Sequence, residues 1–177
     1  VENIAYCLWR EGCRDFFVAT LDEGLELRSI LRKANIYVLD GLLEGQDKAF
    51  DKGNLVPVLN DIGQIEAWCR YCRILKTALP CVVQFDTGMN RLGLAPLEAE
   101  RLSGSPEFLS GITVRGIMSH LACGADPGHP LNERQRASFN RIRAKFPDIS
   151  ASLANSAGVY LGQPFHFDMV RVGIALY

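Results

Sequence analysis

The stretch Gln84-Phe85-Asp86-Thr87-Gly88-Met89-Asn90-Arg91-Leu92-Gly93 closes an apolar run that begins at Cys81 and turns it into a glycine-punctuated loop presenting one arginine. An apolar strand that stops in such a loop is where α/β folds set their functional groups. Later runs stop in the same manner, at His120, at Asn155-Ser156, and at Arg171 with Gly173-Ile174. Strand ends carrying this polar chemistry point to one shared site.

Working outward, β-rich runs cover residues 15–20, 36–41, 55–60, 81–87, 114–122, 151–157 and 169–177. They are nearly continuous in apolar residues, the pattern of parallel strands covered by helices. Helical patterns lie between them. Residues 21–32 have a cap candidate in Thr20, acids in the first turn and bases in the last. Residues 61–78 line up Ile62, Ile65, Trp68 or Cys69, and Cys72 on one stripe, and Pro80 blocks continuation. Residues 132–145 turn Phe139, Ile142 and Phe146 inward.

This alternation leaves two α/β architectures, an open doubly wound sheet or a closed barrel. An open sheet gathers ligand at one switch point, whereas here the polar motifs end several strands. A (β/α)8 TIM-type barrel is therefore expected over residues 1–177, which show seven strands where the closed fold has eight. Without its first strand the sheet has two open edges, beside residues 15–20 and 169–177, and such edges invite aggregation. The physical protein is thus expected to be longer.

Hydrophobic residues at 48%, charged residues at 22% and a formal net charge of -1 describe a globular domain without a nucleic-acid surface. No apolar run reaches the ~18 residues a bilayer span needs, and Val1-Glu2-Asn3-Ile4 lacks signal-peptide character. No membrane association and a cytoplasmic location are expected. The six cysteines are scattered through regular elements and read as reduced thiols. Cys69 and Cys72 form one C-x-x-C, which without a second pair does not make a metal site.

Arg171 stands out because a guanidinium inside an apolar strand demands a buried partner, either a structural ion pair or a ligand. His120 reads equally as a satisfied core residue or as a site residue.

Taken in order, the motifs Phe17 to Gly24, Asp86 to Gly93, Met118 to Cys123, the spacing Asn132/Gln135/Phe139, Asn155 to Gly158 and Val170 to Tyr177 resemble the amino-terminal barrel of the alanine racemase family. These are fold-type III enzymes dependent on pyridoxal 5'-phosphate. The resemblance spans nearly the whole chain and implies strands two to eight of the barrel. It places the Schiff-base lysine just ahead of Val1, and Lys33, Lys48 and Lys52 do not match it. It also implies a carboxy-terminal β domain, absent here, that supplies a catalytic tyrosine across a homodimer interface.

The implied activity of the parent protein is interconversion of L- and D-alanine, an isomerase supplying D-alanine for peptidoglycan, with residues 1–177 inactive alone. A serine or broad-specificity racemase is one alternative. A non-enzymatic barrel of the pyridoxal phosphate homeostasis type is another.

By the same resemblance, Arg171 donates to the pyridine nitrogen, and Asn155, Ser156, Gly173 and Ile174 form the phosphate cradle. His120 packs against the pyridine plane, and Arg91 contacts the cofactor's phenolic oxygen and the substrate carboxylate. His129 and His166 match no site. The sequence departs from the family at Gln84, where a carbamylated lysine commonly faces the arginine. A bound anion or water near Gln84 is expected to compensate a buried Arg91.

Overall fold

Thr20 and Asp61 show how the strand-to-helix junctions form. Each takes an extended backbone, and its side chain accepts from an N–H of the following first turn, Glu23 N at 3.3 Å and Gln64 N at 2.8 Å. Glu23 reaches back to the Ala19 N–H at 2.7 Å and the Thr20 N–H at 3.4 Å, which completes a capping box. In the computed structural model, which describes residues 2–176, these junctions repeat into a parallel sheet of seven strands hydrogen-bonded in chain order.

The strands are β1 (Asp15–Val18), β2 (Asn35–Val38), β3 (Val56–Leu59), β4 (Pro80–Gln84), β5 (Thr113–Met118), β6 (Ser150–Asn155) and β7 (Met169–Arg171). The helices are α1 (Glu2–Arg10), α2 (Leu21–Ile30), α3 (Asp47–Lys52), α4 (Ile62–Leu75), α5 (Pro96–Gly104) and α6 (Pro130–Arg143). Phe17 of β1 and Met169 of β7 line one interior space with residues of β2, β4, β5 and β6, so the sheet curls into a nearly closed barrel.

Strand parity sorts the apolar residues into two layers. Tyr37, Val56, Val58, Val82 and Met118 pack inside the barrel with Phe17 and Leu39, and the rings of Phe17 and Tyr37 stack at 4.6 Å. The interior is filled, with a residual cavity of only ≈ 30 Å³. The larger layer lies between sheet and helices. There Ile36, Val38, Leu59, Ile65 and Phe139 are buried, each worth roughly 1.5–3 kcal/mol of transfer free energy.

The expected strands run too long at their carboxyl ends. Thr20 is a helix cap rather than a strand residue, and His120 lies two residues beyond β5. β7 stops at Arg171 because Gly173 releases the chain into a 3-10 turn over Ile174–Leu176, and Tyr177 lies outside the described residues, as does Val1. Helices α1, α3 and α5 add to the three patterns read from sequence.

Candidate active site

Parity carries inward-facing positions to the carboxyl rim: Val82 leads to Gln84, Met118 to His120, and Met169 to Arg171. The loop after β4 closes on itself. Asp86 N–H donates to Leu94 O at 3.0 Å, and Leu94 N–H donates to Gln84 O at 2.8 Å. Asp86 Oδ1 accepts from the N–H groups of Gly88, Met89 and Asn90 at 2.9, 2.9 and 3.1 Å. Gly93, at φ 110°, is required where the chain returns, because a Cβ there would stand 2.7 Å from the Asp86 nitrogen.

Two expectations for this loop are corrected. Arg91 is exposed, so it needs no compensating anion, and among the described residues nothing hydrogen-bonds or ion-pairs with its guanidinium. Buried Gln84 donates from Nε2 to Leu92 O at 3.1 Å, so its amide clamps the loop rather than meeting Arg91.

His120 follows β5 and is met by Asn155 at the end of β6. Asn155 Nδ2 donates to His120 Nε2 at 3.1 Å and to Leu121 O at 3.2 Å, while its Oδ1 accepts from Gly158 N–H at 2.9 Å. A donor at Nε2 requires a lone pair there, so the ring is neutral with its proton on Nδ1. Burial, then the charges of Arg171 and Arg91, push the imidazole down to about 4, in agreement.

Arg171 is paired across the sheet with Asn155. The residue is part-exposed, but its guanidinium is buried, and burial lowers it to about 10, still protonated at neutral pH. Its partners are all neutral. Nη1 donates to Ser152 Oγ, which itself donates to Met169 O at 2.7 Å; Nη2 donates to Ser119 O and to Leu153 O at 3.4 Å. The structural ion pair is therefore excluded among the described residues, whose salt bridges are Arg136–Glu133 and Arg143–Asp168. The Nε–H of Arg171 makes no hydrogen bond to a described residue.

Ser156 comes next to this arginine in the rim. Its Oγ accepts from the backbone N–H groups of Gly173 at 2.8 Å and Ala175 at 3.3 Å, so amides of the turn after β7 converge on one hydroxyl. A Cβ on Gly173 would meet no atom within 4 Å. Such converging N–H groups with room before them suit a phosphate. The Ile174 side chain is 84% exposed and points away from the packed interior.

His120, Asn155 and Arg171 are thus joined by direct bonds or close charge, Ser156 and Gly173 adjoin them, and Arg91 reaches them through its charge on His120. Sequence reasoning missed Ser152 and Ser119, which hold Arg171, and gave no role to Thr87 and Gln135. The available signal for Ser152 was its parity with the inward face of β6. A larger concavity of ≈ 630 Å³, lined by Leu43, Asp61, Arg70 and Ile74 among others, lies against the outer helices and holds none of these residues.

Comparison with known proteins agrees with this fold. The family described as "Alanine racemase, N-terminal domain" matches residues 1–177. The chain is 45% identical over 176 residues to "Alanine racemase, catabolic" of Mesorhizobium japonicum, covering 99% of this chain and 46% of that protein. It is 46% identical to an alanine racemase of Rhodospirillum rubrum, covering 99% of this chain and 47% of the relative. The crystal structure of alanine racemase from Bartonella henselae with covalently bound pyridoxal phosphate superposes with a TM-score of 0.95 at 38% identity, over 99% of this chain and 52% of that one. The chain spans about half the length of the curated relatives it matches.

Proposed function

Since the chain belongs to the alanine racemase family through its amino-terminal domain, we propose that the protein containing it interconverts L- and D-alanine with pyridoxal 5'-phosphate. The observation that carries this reading is the buried Arg171 guanidinium, which among the described residues has only neutral acceptors and keeps its Nε–H in hand. A buried cation without a carboxylate is costly unless a ligand shares the site. The residues present fit this cofactor, whose phosphate suits the amides gathered at Ser156 and whose ring nitrogen suits an arginine donor.

When bound, pyridoxal phosphate supplies a conjugated ring that draws electron density from the amino acid's Cα. Arg171 would donate to the ring nitrogen and, being charged at all working pH values, leave that nitrogen unprotonated. His120, kept neutral by its burial, its two cationic neighbours and the Asn155 donor, would lie against the ring without adding charge. Ser156 and the Gly173 amide would hold the phosphate. Arg91, exposed and unpaired among the described residues, would receive the substrate carboxylate and fix its orientation. The bases that take and return the Cα proton would come from the rest of a protein as long as its relatives, of which this chain spans about half, and residues 1–177 alone are expected not to racemise. A homodimer and supply of D-alanine to the cell wall belong to the same proposal.

The test is turnover by the full-length protein. Conversion of L-alanine to D-alanine that requires pyridoxal phosphate and exceeds serine conversion supports the proposal. A preference for serine would move the substrate, and absence of any racemisation with the cofactor bound would refute the activity.

A further inference from the structure

Among the described residues nothing bonds the Arg91 guanidinium, so whatever fixes its loop fixes its charge. Gln135 of α6 is fully buried and uses its whole amide: Oε1 accepts from Ala122 N–H at 2.9 Å, and Nε2 donates to His120 O at 2.8 Å and to Thr87 Oγ1 at 3.2 Å. Thr87 and Ser119 share a further hydrogen bond at 2.7 Å. One side chain therefore grips the residues on both sides of Leu121 and, at the same time, the start of the Arg91 loop. Packing says the same independently. A Cβ on Gly88 would stand 3.3 Å from Leu131 Cδ1 and 3.6 Å from Gln135 Cγ, so the loop lies flat on α6.

The helix is itself anchored. His129 Nδ1 accepts from Leu131 N–H at 3.2 Å, Asn132 Nδ2 donates to Asp126 O at 2.8 Å, and Phe139 is buried in the core. We infer that Gln135 is a positioning residue, which with Thr87 locks the Arg91 loop to the His120 strand end and holds the two cofactor-side groups in one fixed relation. Its catalytic consequence rests on the role given to Arg91 above; the lock does not.

The variant Gln135→Met would remove three bonds at once and lower stability as well, so Thr87 decides the matter. Thr87→Val keeps the shape and removes the hydroxyl, and Thr87→Ser restores it. In the full-length protein, hydrogen exchange of residues 86–93 is expected to rise in Thr87→Val on the order of tenfold, the effect of losing the hydroxyl's bonds to both Gln135 and Ser119. KM for alanine rises by about the same factor with kcat changed less, and Thr87→Ser recovers both. Unchanged exchange in Thr87→Val, or a Thr87→Ser as loose as the valine variant, overturns the lock. Faster exchange with KM unmoved upholds the lock and refutes the carboxylate role of Arg91.

Discussion

Arg28 and Arg171 are both guanidiniums held without a carboxylate among the described residues, one at each end of the barrel. Arg28, near the end of α2, makes five hydrogen bonds to carbonyls: Gly53 at 2.9 Å, Leu31 at 3.1 Å, Arg32 at 3.1 Å, Ala34 at 2.8 Å and Asn54 at 2.6 Å. Those carbonyls precede β2 and β3, so Arg28 staples the amino rim. Arg171 makes three bonds, one of them to a hydroxyl, and leaves Nε–H unspent. The same residue type closes one end and keeps the other available. A barrel separates stability from function in this way because its strand starts and strand ends face opposite sides.

The comparison breaks most visibly if Arg171 proves structural. Arg171→Met in the full-length protein should lower kcat/KM by about a hundred- to a thousandfold, roughly 3–4 kcal/mol, with the unfolding free energy changed by less than about 1 kcal/mol. Loss of stability equal to the loss of activity would erase the distinction. Arg28→Met should do the reverse, costing about 2–3 kcal/mol of unfolding free energy because several carbonyls lose a charged donor, while the cofactor affinity of the folded enzyme holds. Denaturant titration beside cofactor binding measures both.

His120 sharpens the same contrast through pH. Its imidazole falls from 6.5 to about 4 on folding, so the unfolded chain binds the proton more readily between those values. The stability it contributes is fully present above about pH 6.5 and is lost as pH falls toward 4, by roughly 3 kcal/mol. NMR titration of the His120 ring and stability measured across that window check it. The smallest effect belongs to the other end of Arg28's own helix. Thr20→Ala removes the cap of α2 at the carboxyl rim and should cost about 1 kcal/mol, leaving the Arg28 staple in place.

The strand series was legible because parallel strands covered on both faces are apolar runs, and the cap at Thr20 was legible because a polar residue precedes the helical stripe, whereas Asp61, read as the first residue of its helical stretch, is that helix's cap. α5 carries a start signature in Pro96 and in Glu98, which accepts from Ala95 N–H at 2.9 Å, but its short surface pattern is weak. Strand lengths were overread because apolar composition continues past the last ladder bond, as at Val172 and Ile174.

In the site, residue types were legible from their place at strand ends. Their partners were not. Nothing in a charged helix marks Gln135 as buried, and the Asn155–Arg171 pairing depends on a register shift between Ser152 and Asn155. The Arg91 loop illustrates the limit. Its burial was inferred from the family's charged partner at position 84, whereas the chain spends Gln84 on the loop backbone.

The most direct measurement is a diffraction structure of the full-length protein with pyridoxal 5'-phosphate. The phosphate is expected against Ser156 Oγ and the Gly173 amide, with Arg171 donating to the ring nitrogen and no carboxylate drawn to that guanidinium. A cofactor seated elsewhere, or an acidic residue of the remaining chain paired with Arg171 in its place, would contradict it.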